Sequence, residues 1–317
     1  MKLRFFKNRL FANSPVVKTG GGLFATVEEL IEQKQYVAYL KNFHQKLAAS
    51  NQAGDVKSAF KGRGIELEEI RAYNFGDDVR DIDWRVTARW QTPYTRLYAE
   101  EKDREIYVLL DLSPQMVFGT RKELKSVSAA KISALLGWLS MENRDRFGLA
   151  VFDGAKTDFY KPGNNRAALT AMLKKVAETT QRILEPQKNA GGDLSKAVKL
   201  LNNRLKNRAT VFVVSDFNQF DDMLKKSLSA LCRKNRVYCL NIFDVLEENA
   251  PRPGEYMAVS PGGKRLVFNT ADTAFVRAYN DYFAAKRLKI KEFCRSFRAR
   301  YLEVRTDLEL YGQLKIF

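Results

Sequence analysis

The chain has little of what most enzyme active sites are built from. Its 317 residues include one histidine, His44, and three cysteines, Cys232, Cys239 and Cys294, with no CxxC pair. The chain therefore has few residues that could form a zinc site with His and Cys ligands or a Ser-His-Asp triad. Because three cysteines cannot pair completely, we expect no disulfide framework and a reducing compartment.

Long apolar runs and phosphate loops are also lacking. The richest apolar run, residues 132–141, is shorter than the ~20 residues of a membrane-spanning helix. The N-terminus mixes Lys and Arg with Leu and Phe but has no continuous apolar core, so we expect no signal peptide. We interpret residues 1–25 as a basic tail docked on the protein, with contact to a membrane surface as the alternative. The glycine clusters at 20–22 and 262–263 lack the phosphate-loop pattern.

Positive charge is in excess. Lys and Arg number 54 against 37 Asp and Glu, a net charge of +17. Such an excess favours an acidic partner, nucleic acid or an anionic membrane surface, without choosing among them. Residues 286–300 carry seven basic side chains and one acid, Glu292. A helix there could lie on phosphates, but we favour a helix that packs its aromatics on a sheet while its basic chains reach solvent.

Residues 105–304 alternate short apolar runs with amphipathic segments. The runs predict strands at 106–110, 147–152, 210–215, 237–243 and 301–304, and the segments predict helices at 122–141, 166–180, 193–205, 221–232 and 271–299. This alternation predicts an α/β fold: a Rossmann-type, mostly parallel sheet with helices on both faces. Upstream, Thr26 and Glu29 predict a capping box for a helix over 26–47.

Two acids follow two of the apolar runs. Asp111 ends the first predicted strand and Asp216 follows the third. Ligands of open α/β sheets bind outside the carboxyl ends of the strands. Asp111, Ser113 and Asp216 would there make an oxygen-rich site suited to Mg²⁺. An equal alternative is that both acids only cap turns and helices.

Residues 62–89 form a dense run of mixed charges with interleaved aromatics. We read short strands and tight turns there. Composition favours a solvated ion-pair lattice over the alternative, a recognition surface on rigid turns. Ile82, Trp84 and Val86 are spaced by two, which predicts a strand with one apolar face. We therefore expect this segment to pack on the α/β core and to bury Trp84.

The same run resembles the signature of the DUF58 family, roughly G-x-G-x-E-F-x-x-x-R-x-Y-x-x-G-D-D-x-R-x-I-D-W-x-x-x-A-R. The matching positions are Gly62, Gly64, Glu66, Arg71, Tyr73, Gly76, Asp77, Asp78, Arg80, Ile82, Asp83, Trp84, Ala88 and Arg89. Leu67 stands where the family usually has Phe. The resemblance extends over about residues 62–245 and includes Asp111-x-Ser113 and Ser215-Asp216-Phe217.

The resemblance implies a von Willebrand factor A-like domain with a metal-ion-dependent adhesion site, and association with MoxR-type AAA+ ATPases. The adhesion-site pattern is Asp-x-Ser-x-Ser, followed by a distant Thr and a distant Asp. Asp111, Ser113 and Asp216 match it, whereas Gln115 replaces the second Ser and Gly192 stands about where the Thr would fall. We therefore expect Mg²⁺ to bind weakly or not at all.

Two further expectations concern this site. Asp193 and Ser195 lie close enough to Gly192 in the sequence to be candidates for the missing ligand. Without a metal, two carboxylates would face each other. A basic side chain or a raised carboxyl pKa must then relieve their repulsion.

Together these patterns predict a non-enzymatic interaction module that partners a MoxR-type AAA+ ATPase in the cytoplasm, with peripheral contact at the inner face of the membrane left open. The alternatives are a nucleic-acid-binding protein, supported only by the charge, and a metal-dependent hydrolase, which would need a base beside the metal. The expected organisation is a tail (1–25), an N-terminal helix with a small β-rich signature segment (26–104), the α/β domain (105–306) and a C-terminal tail (307–317).

Overall fold

The computed structural model describes residues 4–5, 20–40, 66–99, 104–185, 192–206, 208–259 and 265–315. The chain divides into two units, one containing residues 1–44 and 104–317 and the other residues 45–103. The N-terminal helix is thus grouped with the α/β domain, whereas the expected organisation joins it to the signature segment. His44, Gly62 and Gly64 lie outside the described residues.

The regular elements are numbered here in chain order. The strands are β1 (Arg4–Phe5), β2 (Glu66–Ala72), β3 (Tyr94–Ala99), β4 (Glu105–Asp111), β5 (Arg146–Phe152), β6 (Thr157–Gly163), β7 (Thr210–Ser215), β8 (Arg236–Phe243), β9 (Glu255–Val259), β10 (Arg265–Asn269) and β11 (Arg300–Arg305). The α-helices are α1 (Val27–Glu32), α2 (Trp84–Trp90), α3 (Lys125–Glu142), α4 (Arg166–Arg182), α5 (Leu194–Arg204), α6 (Asp222–Cys232), α7 (Thr273–Ser296) and α8 (Leu310–Lys315).

The larger unit is built on a six-stranded sheet with the order β11-β8-β7-β4-β5-β6. All neighbours run parallel except the edge strand β6, which is antiparallel to β5. The first strand of this sheet in the sequence is β4. The next two, β5 and β6, are added on one side of β4, and β7, β8 and β11 are added on the other side. The strand order therefore reverses between β4 and β7, and the predicted mostly parallel Rossmann-type sheet is confirmed.

Helices cover both faces of the sheet, as expected from strands that are apolar along their whole length. On one face α5, α6 and α7 close a core that includes Leu109, Val213 and Ile290. On the other face α3 contacts β4, β5, β7 and β8. Most of α3 is buried because α1, the 3-10 segment Gln33–Leu40 and α4 pack against it from outside. A helix enclosed this way needs small or apolar side chains around most of its circumference, and this helix has Ala, Ser, Leu, Ile, Val and Trp there.

The two ends of the larger unit differ from expectation. The Thr26–Glu29 capping box is present, but α1 ends at Glu32 and the chain continues as 3-10 helix to Leu40, so the described part of the helix predicted over 26–47 is wound more tightly than expected. Residues 41–47 lie outside the described part. The predicted C-terminal tail forms α8, whose Tyr311 ring stacks on Tyr36 with ring centroids 5.0 Å apart. The 3-10 segment Gln33–Leu40 and α8 thus pack together.

The described residues also form two smaller sheets. In the larger unit β9 pairs antiparallel with β10 and with β1. In the smaller unit β2 and β3 form an antiparallel pair with an irregularity between Leu67 and Glu69. The sequence between β2 and β3 forms a tight turn, a short 3-10 helix at Val79–Asp81 and α2.

Candidate functional site

The two acids singled out in the sequence lie at one edge of the sheet. Asp111 is the last residue of β4, and Asp216 follows Ser215, the last residue of β7. The two strands pair in parallel, with Leu110 opposite Val214, so their carboxyl ends meet at the point where the strand order reverses. The two strands that lead to the acids are therefore neighbours in the sheet.

A shallow cleft with room for about one water molecule opens at this edge, and the predicted site positions lie together around it. Asp111, Ser113, Gln115, Gly192 and Asp216 all line it. Phe152, Leu194 and Phe217 supply apolar parts of the lining. We call this the switch-point cleft.

Asp111 is fixed by neighbouring donors. Its Oδ1 accepts a hydrogen bond from the Ser113 backbone N–H at 2.9 Å, and its Oδ2 accepts one from the Ser215 hydroxyl at 2.6 Å. Burial, together with the nearby Asp216 carboxylate, raises the pKa of Asp111 to about 6. The side chain thus serves as a turn cap, as one of the sequence alternatives proposed, while it also lines the cleft.

Lys125 supplies the cation beside Asp216. It is the first residue of α3 and is 1% exposed. Its Nζ lies 2.7 Å from Asp216 Oδ2 and 3.0 Å from Glu247 Oε1. Burial opposes the charged form, but the two carboxylates outweigh it, so the pKa of Lys125 is raised. The expectation that a basic side chain or a raised carboxyl pKa relieves the repulsion is met here by both.

A second lysine extends the network toward α7. Lys286 Nζ donates to Asn218 Oδ1 at 2.7 Å, and the Asn218 backbone N–H donates to Asp216 Oδ1 at 2.9 Å. Burial opposes ionisation of Asp216, yet Lys125 and Lys286 hold the pKa of its carboxyl below the ordinary value. Burial lowers the pKa of Lys286. Arg287 also turns inward and donates to the Glu247 carbonyl at 2.7 Å.

The sequence patterns do not predict this network. They place Lys125 in a helix without a role, and they favour solvent exposure for Lys286 and Arg287. One signal was present in the sequence. Residues 126–140 contain a single charged side chain, Lys131, which indicates a buried helix, and Lys125 lies at its start. A lysine at the end of such a helix needs an acidic partner.

The residues at this edge do not fit a magnesium ion. Both Asp111 oxygens accept protein hydrogen bonds, and the Asp216 oxygens are engaged by Lys125 and by the Asn218 N–H. A Cβ on Gly192 would lie 2.1 Å from the Gly154 carbonyl oxygen, so a threonine cannot stand there without a backbone shift. Within the described residues, no group of three His, Cys, Asp or Glu side chains is placed to hold a metal.

The candidate substitute ligands do not reach the cleft. Asp193 caps α5 by accepting the Ser195 N–H at 2.7 Å. The Ser195 hydroxyl donates to the other Asp193 oxygen, and Ser195 is fully buried. Neither residue is among those that line the switch-point cleft.

Several signature residues build the turn that follows β2. Arg71 pairs with Asp77 at 2.9 Å, and the second Asp77 oxygen accepts the Asn74 N–H at 2.9 Å. The Tyr73 hydroxyl donates to the Asp77 carbonyl at 3.3 Å. Gly76 has φ +105°, which only glycine adopts without strain. These residues therefore have structural roles within the signature.

Two signature acids start helices. Asp78 accepts the Arg80 N–H at 3.0 Å and begins the 3-10 turn. Asp83 accepts the N–H groups of Arg85 and Val86 and so caps α2. The hydrogen bond from Arg96, at 2.9 Å, is the main reason that the pKa of Asp83 is lowered.

The strand expected around Trp84 is wrong, and so is its expected burial. Trp84 is the first residue of α2 and is 66% exposed. The Asp83 cap provides the physical reason, because it satisfies the free N–H groups at the start of a helix. Arg80 and Arg89 are exposed too, as are Phe75 and Trp90. We call these five residues the signature face.

A match to a family model identifies the family. The model described as "Protein of unknown function DUF58" matches residues 69–289, so the chain belongs to the DUF58 family. Among similar proteins are the uncharacterized proteins Mb1516 of Mycobacterium bovis and Rv1480 of Mycobacterium tuberculosis. Each is 27% identical over 276 residues, which cover 83% of this chain and 82% of the relative.

Solved structures match more distantly. The conserved hypothetical protein BatB from Bacteroides thetaiotaomicron aligns with a TM-score of 0.45 and 18% identity, covering 67% of this chain and 95% of that one. A von Willebrand factor type A structure from Catenulispora acidiphila aligns with a TM-score of 0.34 and 11% identity, covering 70% and 43%. The fold assignment stands on the strand order itself. Among the described residues, no helix is long and apolar enough to cross a membrane.

Proposed function

We propose that this chain is a non-enzymatic protein-interaction module that acts as an adaptor or partner of a MoxR-type AAA+ ATPase in protein assembly or remodelling. The observation that carries the proposal is the signature face. Five large or basic side chains, Phe75, Arg80, Trp84, Arg89 and Trp90, are exposed on a short stretch of chain. Trp and Arg are enriched among the residues that dominate binding energy at protein interfaces.

Some signature residues hold the local structure while others are exposed, and this separation supports an interaction role. Arg71, Tyr73, Gly76, Asp77 and Asp83 hold the turn and cap α2. The remaining exposed side chains are therefore presented on a locally fixed backbone. A rigid support lowers the entropy lost when a partner binds.

The chemistry of the switch-point cleft also favours binding over catalysis. Ser215 is buried and donates to Asp111. Lys125 is held as a cation between two carboxylates, and a protonated lysine is no general base. The network instead connects the end of β7 to α3, to α7 and to the 3-10 turn Val245–Glu247.

The identity of the partner rests on the DUF58 resemblance. Two features fit a cytoplasmic setting for such a partnership: the three cysteines are free, and Cys239 and Cys294 are buried in the core. The proposal predicts a complex whose stability depends on the nucleotide state of the ATPase.

Co-purification tests the proposal. The tagged full chain is mixed with the purified MoxR-type ATPase of the same genome, without nucleotide and with ADP or a slowly hydrolysed ATP analogue. We expect retention that differs between these states. No retention in any of them, with both proteins folded, would refute the partnership.

A further inference from the structure

The edge of the sheet opposite the switch-point cleft carries arginines in an unusual backbone conformation. Arg144, Arg208 and Arg298 have φ of 60°, 73° and 54°. Each lies in the turn that leads into a parallel strand, β5, β7 or β11 respectively. Three of the five non-glycine residues with positive φ in the described part of the chain are thus arginines at one edge.

Glycine would serve the fold better at these positions. The Asp145 N–H bonds to the Ser140 carbonyl and the Ala299 N–H to the Cys294 carbonyl, both at 2.9 Å. This closure of α3 and α7 places Arg144 and Arg298 where helices normally end on glycine. Side chains with a Cβ are strained in this region, and strain of this kind is retained mainly where function requires the side chain. The fold alone therefore does not explain arginine here.

Positive charge accumulates along one half of this edge. The turns at residues 204–208, 233–236 and 298–300 contain eight Lys and Arg residues and no acid. They precede β7, β8 and β11, which are neighbours in the sheet. The first two turns touch, since the Arg208 N–H bonds to the Lys234 carbonyl at 2.8 Å. We call these eight side chains the basic rim.

The other half of the edge is balanced. Arg104 lies 4.0 Å from Asp145, and Arg146 lies 3.0 Å from Glu105. Helix C-termini favour a nearby cation, and α5, α6 and α7 all end at the rim. That preference accounts for about one basic residue per helix end, whereas the rim has eight in three turns.

We propose that the basic rim binds the anionic lipid headgroups of a membrane surface. Its turns stand side by side at the ends of adjacent parallel strands, which suits a flat partner. Phe297 is the large apolar side chain exposed beside the described rim, at 40%, and its ring packs on Phe293 with centroids 4.7 Å apart. Arg208 and Arg236 already have partners. The other six basic side chains of the rim are exposed and offer guanidinium and ammonium groups to phosphates. Among the described residues, the rim has no aromatic platform on which bases could stack.

Vesicle binding by the full chain tests this proposal. The rim variant combines Arg233→Gln, Lys234→Gln and Arg298→Gly, all at exposed positions. The control variant removes three exposed charges from the middles of α4, α5 and α6 through Lys174→Gln, Lys199→Gln and Lys226→Gln. Both lose the same net charge. Arg298→Gly also relieves the left-handed backbone, so we expect the rim variant to stay folded.

The probe is co-sedimentation with phosphatidylcholine vesicles that contain phosphatidylglycerol, with pure phosphatidylcholine vesicles as reference. Each basic side chain near such a surface strengthens binding about fivefold, so the rim variant should bind about 100-fold more weakly than wild type. The control variant should stay within a few-fold of wild type.

Four results would overturn the proposal: no binding of wild type to the anionic vesicles, wild-type binding by the rim variant, an equal loss in the control variant, or a rim-dependent affinity that is higher for a single-stranded oligonucleotide or a polyglutamate peptide than for the vesicles.

Discussion

Replacing Lys125 with methionine should strongly destabilise the protein. Methionine has a similar length, so the change removes the charge with little change in packed volume. The Lys125 ammonium is buried and contacts Asp216 at 2.7 Å and Glu247 at 3.0 Å. Breaking a buried ion pair by removing one partner leaves an uncompensated charge and typically costs about 3–5 kcal/mol. We expect a loss of that size in the free energy of unfolding.

Urea denaturation at neutral pH measures this loss. A double variant, Lys125→Met with Asp216→Asn, should recover part of it, because no unpaired carboxylate is then left at that position. Lys174→Met on the exposed side of α4 is the control and should change the free energy of unfolding by less than about 0.5 kcal/mol. A Lys125→Met loss below about 1 kcal/mol, or a double variant less stable than the single one, would refute the role assigned to Lys125.

Three further predictions concern the same edge of the sheet. Since burial raises the folded-state pKa of Asp111 to about 6, the folded protein binds a proton more tightly than the unfolded chain. The free energy of unfolding of wild type, relative to Asp111→Asn, should therefore fall by about 2 kcal/mol as the pH rises from 4 to 6; a flat difference in urea titrations would contradict this. Calorimetric titration with Mg²⁺ and Mn²⁺ should show no micromolar binding. Micromolar binding that Asp111→Ala abolishes would contradict the conclusion that these residues do not fit a magnesium ion. Gly192→Ala should lower the free energy of unfolding by about 1–3 kcal/mol, because its Cβ would lie 2.1 Å from the Gly154 carbonyl oxygen. Gly163→Ala is the control, because its Cβ would have nothing within 4 Å. Equal thermal stability of the two variants would contradict the close contact between Gly192 and Gly154.

The central sheet was predictable because its signal is local. Each parallel strand is a short run of apolar residues, and β4 and β7 end beside Asp111 and Asp216. Strands that are apolar on both faces and alternate with helices form a parallel sheet with right-handed connections, so few sheet topologies are possible. The strand order then places the two acids at the same edge without further information.

Contacts between distant residues were not predictable. Lys125 meets Asp216 and Glu247 across 91 and 122 residues of chain. The three turns of the basic rim are likewise brought together only by the strand order. At Trp84 the failure was local, because a period of two over three residues was weighed above the Asp83 cap. A seven-residue helix is short enough for its cap to decide the structure.

The most direct test of the account measures how tightly the full chain binds the purified MoxR-type ATPase when the signature face is changed. Arg80→Ala with Trp84→Ala removes two exposed side chains and no cap, so the melting temperature should stay close to that of wild type. Interface hot spots contribute about 2 kcal/mol or more each, so the double variant should lose about 4 kcal/mol of binding free energy, which corresponds to a dissociation constant about 1000-fold larger. Lys174→Ala, on α4 of the other unit, is the control and should bind like wild type. Unchanged affinity of the folded double variant would contradict the claim that this chain acts through its signature face.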